Sequence, residues 1–517
     1  MEGEEALRFL MSSNGRYEYV QLDTLISLSH RTASTVGYCD SPWTELKAQM
    51  RLLAPSIAIT FIQYSSTVIT DSIAGHLGQF ELASLAIAYT FMRLAYGVLA
   101  SMGNALETLG GQAFGAGEYD MLGIYAQRSI IILLGAAFLL SIPCFFSEPL
   151  LKIFGQSADI AKEASFLLKC MLPQLFASAL NFPLQRFLYA QSLIIPLLCI
   201  SVSLVLPQML LSWVAAFRLN LSLVGIIIVQ NVSCWLFTAI QFLYITNSDS
   251  CKSSWRGFSV CAFYQLTSFL QLSLSSSIMI LLQTWYYQIL IFLAGTLSDP
   301  EVEIDALTIC INLICMEVMV PYAFNITTSI RVSNELGAGN SQAASFSAFV
   351  AMVGSSVVSV LVAVIFLLLR NNLGYLFTNS TTVAKKVSEL VPYLAATIIL
   401  NGLQLVYLQR KKLKLEKPGV ATGTGWQSYV AYANILSCYL VGLPLGLVIC
   451  FAFHMGITLS VPESAVQGIW SGMIAGSTLQ ILIVLYMTWN ANWSEQANQA
   501  IGFLRTLREN SSCNINI

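Results

Sequence analysis

Charged residues are scarce in this sequence. Asp, Glu, Lys and Arg make up 10% of its 517 residues, whereas 56% are hydrophobic and the mean hydropathy is +0.69. A soluble domain carries about 25% charged residues. This number of charged residues is too small to cover the surface of a 517-residue protein with solvated groups. We therefore expect most of the surface to face lipid. The net charge of −2 gives no electrostatic support for binding nucleic acid.

Metal ligands and catalytic groups are also sparse. The chain has three histidines, and its twelve cysteines contain no CxxC pair, which argues against a zinc cluster and a disulfide framework. No Ser/His/Asp, Cys/His or paired-carboxylate arrangement predicts catalysis. The glycine-rich stretch "GGQAFGAG" (110–117) lacks the Lys-Ser/Thr of a P-loop. We therefore expect a protein that is not an enzyme, with no metal and no cofactor.

Long apolar runs are abundant instead. A helix needs ~20 mainly apolar residues to cross a bilayer. Prolines interrupt the fourth and fifth runs, although neighbouring helices make proline tolerable in membrane spans. No cleavable signal peptide is expected in the polar first ~45 residues. The sequence predicts an all-α membrane protein with twelve spans, near 50–72, 82–104, 126–147, 163–184, 192–214, 222–245, 266–297, 306–330, 345–369, 387–408, 427–453 and 466–489.

The distribution of basic residues predicts the orientation. Twelve spans place both termini on one side of the membrane, and most loop lysines and arginines fall on that side, including the cluster 410–417. The loop "LSDPEVEID" (297–305), on the other side, carries four acidic residues and no basic one. By the positive-inside rule, both termini are predicted to be cytoplasmic.

The chain also contains an internal duplication. The segment "IQYSSTVITDSIAGHLG" (62–78) aligns with "LQTWYYQILIFLAGTLS" (282–298), so that Gln63 falls on Gln283. The loops "GQAFGAGEYD" (111–120) and "NELGAGNSQA" (334–343) both contain Gly-Ala-Gly at nearly the same offset. Two matches in register predict a parallel repeat of six spans, with a central cavity between two lobes. We expect lobes at 45–250 and 251–490, and cytoplasmic tails at 1–44 and 491–517.

Several motifs resemble plant members of the multidrug and toxic compound extrusion (MATE) family: "ALETLGGQAFGAG" (105–117), "SIRVSNELGAGN" (329–340), "TGTGWQSYVAY" (422–432), "AGHLG" (74–78) and "WYYQILIFLAG" (285–295). The resemblance implies two lobes facing each other in a V, alternating access, and proton-driven export of organic solutes across a vacuolar or plasma membrane, by a monomer. Plant members carry alkaloids, flavonoid glycosides, organic acids and hormones. The matching loop-motif residues are Glu107, Gly115, Gly117, Arg331, Glu335, Gly337 and Gly339.

One departure from the family lies in the seventh span. Plant relatives usually have a glutamate at the position of Gln283, and that carboxylate is the usual candidate for binding protons and substrate. Glutamine forms hydrogen bonds but cannot release a proton. Two interpretations stay open, that Gln283 retains substrate recognition without proton coupling, or that it packs between helices through hydrogen bonds of ~0.6 kcal/mol.

A second departure is an insert of about ten residues after the tenth span, "YLQRKKLKLEKP" (407–418). Its charges cannot lie cheaply in hydrocarbon, so the tenth helix is predicted to end near Gln409. The insert then forms a solvated cytoplasmic loop, unless it reflects an altered splice boundary in the gene.

Other ionisable groups within the spans are candidates for proton or cation coupling, namely Glu317, Asp71 and Asp305. A structural hydrogen bond is the alternative for Glu317, and a solvated helix end is the alternative for Asp71 and for Asp305, which caps the start of the eighth span. Gln283, Tyr286 and Tyr287 share one helix face and are predicted to line the substrate cavity, unless the aromatic rings form an interfacial belt. The remaining candidates for the substrate cavity are Gln63, Asn401 and Gln404.

Three functions follow. The first is a proton-coupled exporter of organic solutes that uses Glu317 and Asp71 in place of the missing glutamate. The second is an uncoupled facilitator or a non-transporting paralogue. The third is a lipid-precursor flippase, which the plant-type loop motifs disfavour. The partners implied by the first are a small organic substrate, protons and the lipid bilayer.

Overall fold

The computed structural model describes residues 42–153, 157–219, 221–294, 300–378, 380–410, 432–454 and 465–489. Helices dominate these residues, and none of them lies in a β-strand. Residues 1–41, the predicted C-terminal tail 491–517 and residues 411–418 of the insert lie outside the described residues.

Six long helices form the first half of the chain. They are α1 (Pro42–Leu77), α2 (Gln79–Met102, continued after Gly103 by Asn104–Gly115), α3 (Tyr119–Phe145), α4 (Ala158–Ala190), α5 (Ile194–Phe217) and α6 (Ser222–Asn247). The prolines that interrupt the fourth apolar run, Pro173 and Pro183, lie inside a continuous α4. Helices packed around α4 supply the surroundings in which a membrane helix tolerates proline.

Six more long helices form the second half. They are α7 (Leu266–Ala294), α8 (Pro300–Gly337), α9 (Ser341–Leu368), α10 (Thr381–Arg410), α11 (Leu443–His454, preceded by the π-helical segment Ile435–Gly442) and α12 (Ala465–Trp489). Helix α10 extends to Arg410, where the described residues stop, so the predicted helix end near Gln409 stays a prediction. Each of the twelve predicted windows overlaps one of the twelve long helices.

Eight of the described helical segments are long and apolar enough to cross a membrane by length and composition. They correspond to α1, α2, α3, α5, α6, α8, α9 and α11. Helices α4, α7, α10 and α12 complete the bundle, and in α12 the apolar part is the shorter stretch Trp470–Ile483. The fold class is therefore the expected polytopic all-α membrane protein.

Five hydrophobic clusters lie among the described residues, and the two largest fall mainly in different halves of the chain. The larger is built mainly from α1 to α6 and includes Leu99, Leu133 and Phe187, each fully buried. The second is built from the later helices and includes Leu390 and Ile398. Each half therefore buries most of its apolar side chains within itself, in agreement with the two lobes that the duplication predicts, although Ile326 and Ile330 of α8 pack into the larger cluster.

Candidate functional site

The two lobes touch where the end of α2 meets the end of α8, a region called here the joined end. A β-carbon added at Gly115 would overlap the carbonyl oxygen of Asn334, and one added at Gly337 would overlap the carbonyl oxygen of Gln112. Gly115 and Gly337 are 222 residues apart in the sequence, and so are Gln112 and Asn334. The duplication therefore makes the same backbone contact twice, once from each lobe.

The local symmetry of the joined end extends to its neighbours. Gly111 lies against the hydroxyl of Ser333, which is again 222 residues away, so the axis relating the lobes passes between these two residues. Gly117 and Gly339 have φ values of +76° and +81° and end the two helices in the left-handed region. Glycine adopts this conformation without the steric cost that a side chain brings.

A pair of carboxylates holds Arg331 at the joined end. Its Nη2 lies 2.8 Å from Oε2 of Glu45, and its Nε donates to Oε1 of Glu45 at 3.2 Å. Glu335 lies one turn along α8, 3.4 Å from the same guanidinium. Gln49 adds a hydrogen bond of 2.7 Å to the carbonyl of Ser347 in α9. These contacts connect α1 of the first lobe to α8 and α9 of the second.

Glu317 lies inside the second lobe. Its side chain is buried, with 6% exposed, and the hydroxyl of Ser359 in α9 donates to its Oε1 at 2.9 Å. Its other oxygen, Oε2, has no hydrogen-bond partner among the described residues, and none of their cationic groups forms an ion pair with it. Gly402 of α10 completes the site, because a β-carbon there would overlap the Ser359 hydroxyl. When Glu317 is ionised, no cation among the described residues compensates its charge.

Asp71 is placed differently. It lies 3.6 Å from Arg93 of α2, and both side chains are substantially exposed. The Arg93 guanidinium also lies 5.9 Å from the centre of the Tyr89 ring. Tyr89 donates to Gln230 at 2.8 Å, and the Gln230 amide donates to Thr70 at 3.2 Å. Asp71 therefore has a cationic partner and belongs to a polar network of the first lobe.

Asp305 does not cap the start of α8. The helix begins five residues earlier, at Pro300, a residue favoured in the first turn because its missing N–H has no helical partner there. Asp305 lies in the second turn with its side chain exposed. The helix thus extends five residues before Asp305, whereas the candidate membrane span within it is Asp305–Gly337, so the role of Asp305 at the entry to the span stays a prediction.

Tyr286 belongs to the core of the second lobe. It is 3% exposed, and its ring lies 5.8 Å from that of Tyr439 in the π-helical segment. The Tyr439 hydroxyl donates to the carbonyl of Leu282 at 2.6 Å. In this conformation the Tyr286 ring stabilises the contact between α7 and that segment, so its role as a substrate contact stays a prediction.

The other candidates for the substrate cavity are distributed along three helices. Gln63 is exposed on α1, and Asn401 is buried on α10 beside Gly402. The side chains of Gln283, Tyr287 and Gln404 lie outside those that the structure describes. Asn401 therefore directly precedes Gly402, a residue of the Glu317 site, whereas Gln63 is exposed.

A comparison with protein families decides the identity. A profile of the MatE family matches residues 55–214 and 275–448, more than half of the chain and parts of both lobes. The chain belongs to the MatE family. Members of this family are membrane transporters and not enzymes, so the chain is a multi-pass membrane transporter of the efflux type.

Relatives and solved structures agree with this MatE assignment. Protein DETOXIFICATION 36 of Arabidopsis thaliana is 40% identical over 488 residues, which cover 94% of this chain and 92% of that protein. Protein DETOXIFICATION 37 of the same plant is 40% identical over 457 residues, covering 88% and 87%. The crystal structure of the eukaryotic MATE transporter AtDTX14 matches with a TM-score of 0.81 at 33% identity, over 90% of this chain and 100% of that chain.

Sequence reasoning missed a buried ion pair of this MatE chain. Arg186 of α4 lies 2.9 Å from Glu107, its Nη2 donates to Asn104 at 3.0 Å, and its guanidinium lies 5.6 Å from the Tyr189 ring. Both charged side chains are less than a tenth exposed. The sequence singled out Glu107 by its motif, but no spacing rule links it to an arginine 79 residues later.

Replacing Glu107 by glutamine is expected to destabilise the protein strongly. Removal of one partner leaves the Arg186 charge buried without its carboxylate, which typically costs about 3–5 kcal/mol. We expect a lower midpoint of thermal unfolding for Glu107→Gln in detergent. The matched control is Glu148→Gln, which breaks the exposed Lys152–Glu148 pair and should leave the midpoint nearly unchanged. Equal midpoints for the two variants would contradict the prediction.

Proposed function

We propose that this transporter exports small organic solutes from the cytosol in exchange for protons, with Glu317 as the proton carrier. The observation that carries the proposal is the Glu317 site, a buried carboxylate with one hydroxyl donor, a second oxygen without a partner, and no ion pair with a described cation. An uncompensated charge in such a site is costly, so the gain or loss of a proton there alters the stability of the conformation around it. Asp71 is the weaker candidate, because Arg93 already compensates its charge.

The direction of transport rests on the predicted orientation. The joined end includes Glu45 near the start of α1, so it lies on the side of the membrane where α1 begins, and the basic loops predict that side to be cytoplasmic. The lobes then meet at the cytoplasmic side, and the conformation is one that releases solute and takes up protons on the opposite side. We place the protein in the vacuolar or plasma membrane. It acts as a monomer, since one chain supplies both lobes.

A second function is favoured by a specific observation, the two neutral residues Gln283 in α7 and Asn401 in α10. If proton coupling in this family depends on the position of Gln283, the chain is an uncoupled facilitator. In that case Glu317 accepts the Ser359 hydrogen bond as a purely structural group.

Transport in reconstituted vesicles separates the two functions. With a pH gradient imposed, and with tetraethylammonium and a flavonoid glycoside as test solutes, we expect the native chain to accumulate solute against its gradient. Gln283→Glu should raise this accumulation little, because proton coupling already takes place at Glu317 in α8. Gln63→Glu, the repeat-related position in α1, is the matched control for an added carboxylate. Accumulation that appears only in Gln283→Glu would show that the native chain is uncoupled.

A further inference from the structure

The linker between the two lobes, residues 248–265, exposes apolar side chains outside the long helices. It follows the end of α6 at Asn247 and precedes α7, which begins at Leu266. A segment that connects two helices in water normally exposes polar side chains. In this linker, four large apolar or aromatic side chains are between 57% and 79% exposed, those of Phe258, Val260, Phe263 and Tyr264. These four residues are called here the linker ridge.

The backbone of the linker is fixed to the first lobe. Gln127 of α3 donates from Nε2 to the carbonyl of Gly257 at 2.8 Å and accepts a hydrogen bond from the backbone N–H of Ser259, also at 2.8 Å. The next residue, Arg128, is 1% exposed, and its Nη2 donates to the carbonyl of Cys261 at 3.2 Å. Because α3 holds this backbone at three positions, the ridge belongs to a folded part of the first lobe.

The ridge continues the lipid-facing surface of α6. The Phe258 ring stacks on that of Phe242 with 6.3 Å between their centres, and it lies 5.6 Å from the Trp255 ring. Helix α6 is long and apolar enough to cross a membrane, so its exposed apolar stripe faces lipid. That stripe reaches the neighbour of Phe242 and consists of Ile228, Val232, Leu236 and Leu243. The lipid-facing surface therefore extends from the helix onto the linker.

The basic residues of the linker are paired within the protein. The Nε of Arg256 lies 2.9 Å from Oδ1 of Asp120 at the start of α3, and Lys252 forms an ion pair with Asp249. The structure describes residues 248–265 throughout, and these are their only two basic residues. What the linker offers to a partner is therefore apolar area and not charge. A bilayer interface accepts such a surface, because it takes up apolar side chains and keeps aromatic residues near the headgroups.

We propose that the linker ridge inserts into the interface of the membrane leaflet on the side of the joined end and anchors the first lobe there. Gln127 and Arg128 lie near the start of α3, which directly follows the joined end, so the ridge lies on that same side. The partner is lipid, held through apolar area. Because the linker is bonded to α3, this anchor sets the depth of the first lobe in the bilayer. It does not depend on which group carries the proton.

Depth-dependent quenching in nanodiscs tests the proposal on the full chain. A fluorescent amino acid is incorporated in place of Phe258, and nitroxides are placed either high or low on the lipid acyl chains. We expect the high nitroxide to quench roughly threefold more than the low one, because interfacial segments bury apolar side chains only about 5–10 Å deep. Iodide in the buffer should quench little. The ratio should be the same in phosphatidylcholine alone and with phosphatidylglycerol added.

Two reference positions calibrate the measurement. The same fluorescent residue in place of Lys252, an exposed polar position of the linker, should be quenched by iodide and by neither nitroxide. In place of Leu236, about 16 Å of helix before Asn247, it should be quenched more by the low nitroxide. These positions bracket the water and hydrocarbon limits for Phe258.

A further variant separates insertion by the protein from insertion by the fluorescent residue. With that residue in place of Phe263, Phe258→Ser together with Val260→Ser should shift its quenching from the high nitroxide towards iodide. Unchanged quenching would overturn the proposal. Strong quenching by iodide at Phe258 would place the ridge in water, and no quenching by any agent would mean that protein covers it. Nitroxide quenching that requires phosphatidylglycerol would assign the contact to charge. Each of these results also contradicts the proposal.

Discussion

Glu317→Gln is expected to abolish solute accumulation driven by a pH gradient while the solute still equilibrates across the membrane. Glutamine retains the acceptor that Ser359 uses at 2.9 Å and has almost the same shape, so the packing of α8, α9 and α10 is preserved. It removes the one property that the proposed mechanism needs, the exchange of a proton. The variant should therefore behave as a facilitator.

The size of this effect follows from the driving force. One pH unit is worth 1.36 kcal/mol per proton, so a gradient of about two units supports a concentration ratio of roughly 100 for exchange of one proton. In Glu317→Gln the ratio should fall to about 1. Time courses of solute content in vesicles, with and without a protonophore, measure it directly. In the native chain the protonophore should remove accumulation, and in the variant it should change nothing.

Two comparison variants make the test specific to the carboxylate. Ser359→Ala removes the hydroxyl donor but keeps the carboxylate, so it should retain gradient-driven accumulation. Asp71→Asn removes the acid that is paired with Arg93 and should also leave a ratio well above 1. Full accumulation by Glu317→Gln would show that Glu317 is structural and that coupling lies elsewhere.

A β-carbon at either glycine of the joined end is expected to prevent the lobes from meeting there. At Gly115 and Gly337 the obstacle is a backbone carbonyl, of Asn334 and Gln112 respectively, and a backbone group cannot rotate away as a flexible side chain does. Overpacking of this kind typically costs about 1–3 kcal/mol, which is roughly a 5- to 150-fold change in the population of the joined conformation. Because the duplication makes this contact twice, Gly115→Ala and Gly337→Ala should lose transport to a similar extent.

Hydrogen–deuterium exchange distinguishes a lost contact from a misfolded protein. In both variants the amides of 329–340 should exchange faster, while those in the core of the first lobe stay protected. Gly97→Ala is the matched control on α2, since a β-carbon there meets nothing within 4 Å. Native transport by Gly115→Ala or Gly337→Ala would contradict the prediction, because it would mean that the joined end has room for a β-carbon.

The positions of the spans and the two-lobe plan were predictable because they depend on local properties of the chain. The length of each apolar run limits a helix to one crossing, and the six-span repeat follows from two matches in register. The tenth helix was predictable in the same way over Thr381–Arg410, whereas its end near Gln409 stays a prediction, because the residues after Arg410 lie outside those that the structure describes. The sequence did not show that α8 begins as early as Pro300, because the acidic residues before Asp305 are typical of a loop.

The partners of the site residues were not predictable in this way. Ser359 is a serine in an apolar helix and carries no signal of its own, yet it supplies the hydrogen bond to Glu317 from 42 residues away. Tyr286 shares a helix face with Gln283 in the sequence, but the packing of Tyr439 against it decided that its ring is buried. Helices of similar composition pack in several ways, and the register of each crossing selects the contacts.

The sequence by itself therefore determined that most of the surface faces lipid, and it determined the number of spans, the repeat and the family motifs. Each of these depends on composition or on residues close in the chain. Tertiary structure decided which carboxylate is compensated and which is not. Asp71 and Glu317 look alike as acids within apolar runs, but Arg93 is 3.6 Å from the first and no described cation pairs with the second. The electrostatic environment of a buried carboxylate comes from neighbouring helices, so only their packing distinguishes a carboxylate in an ion pair from one without a cationic partner.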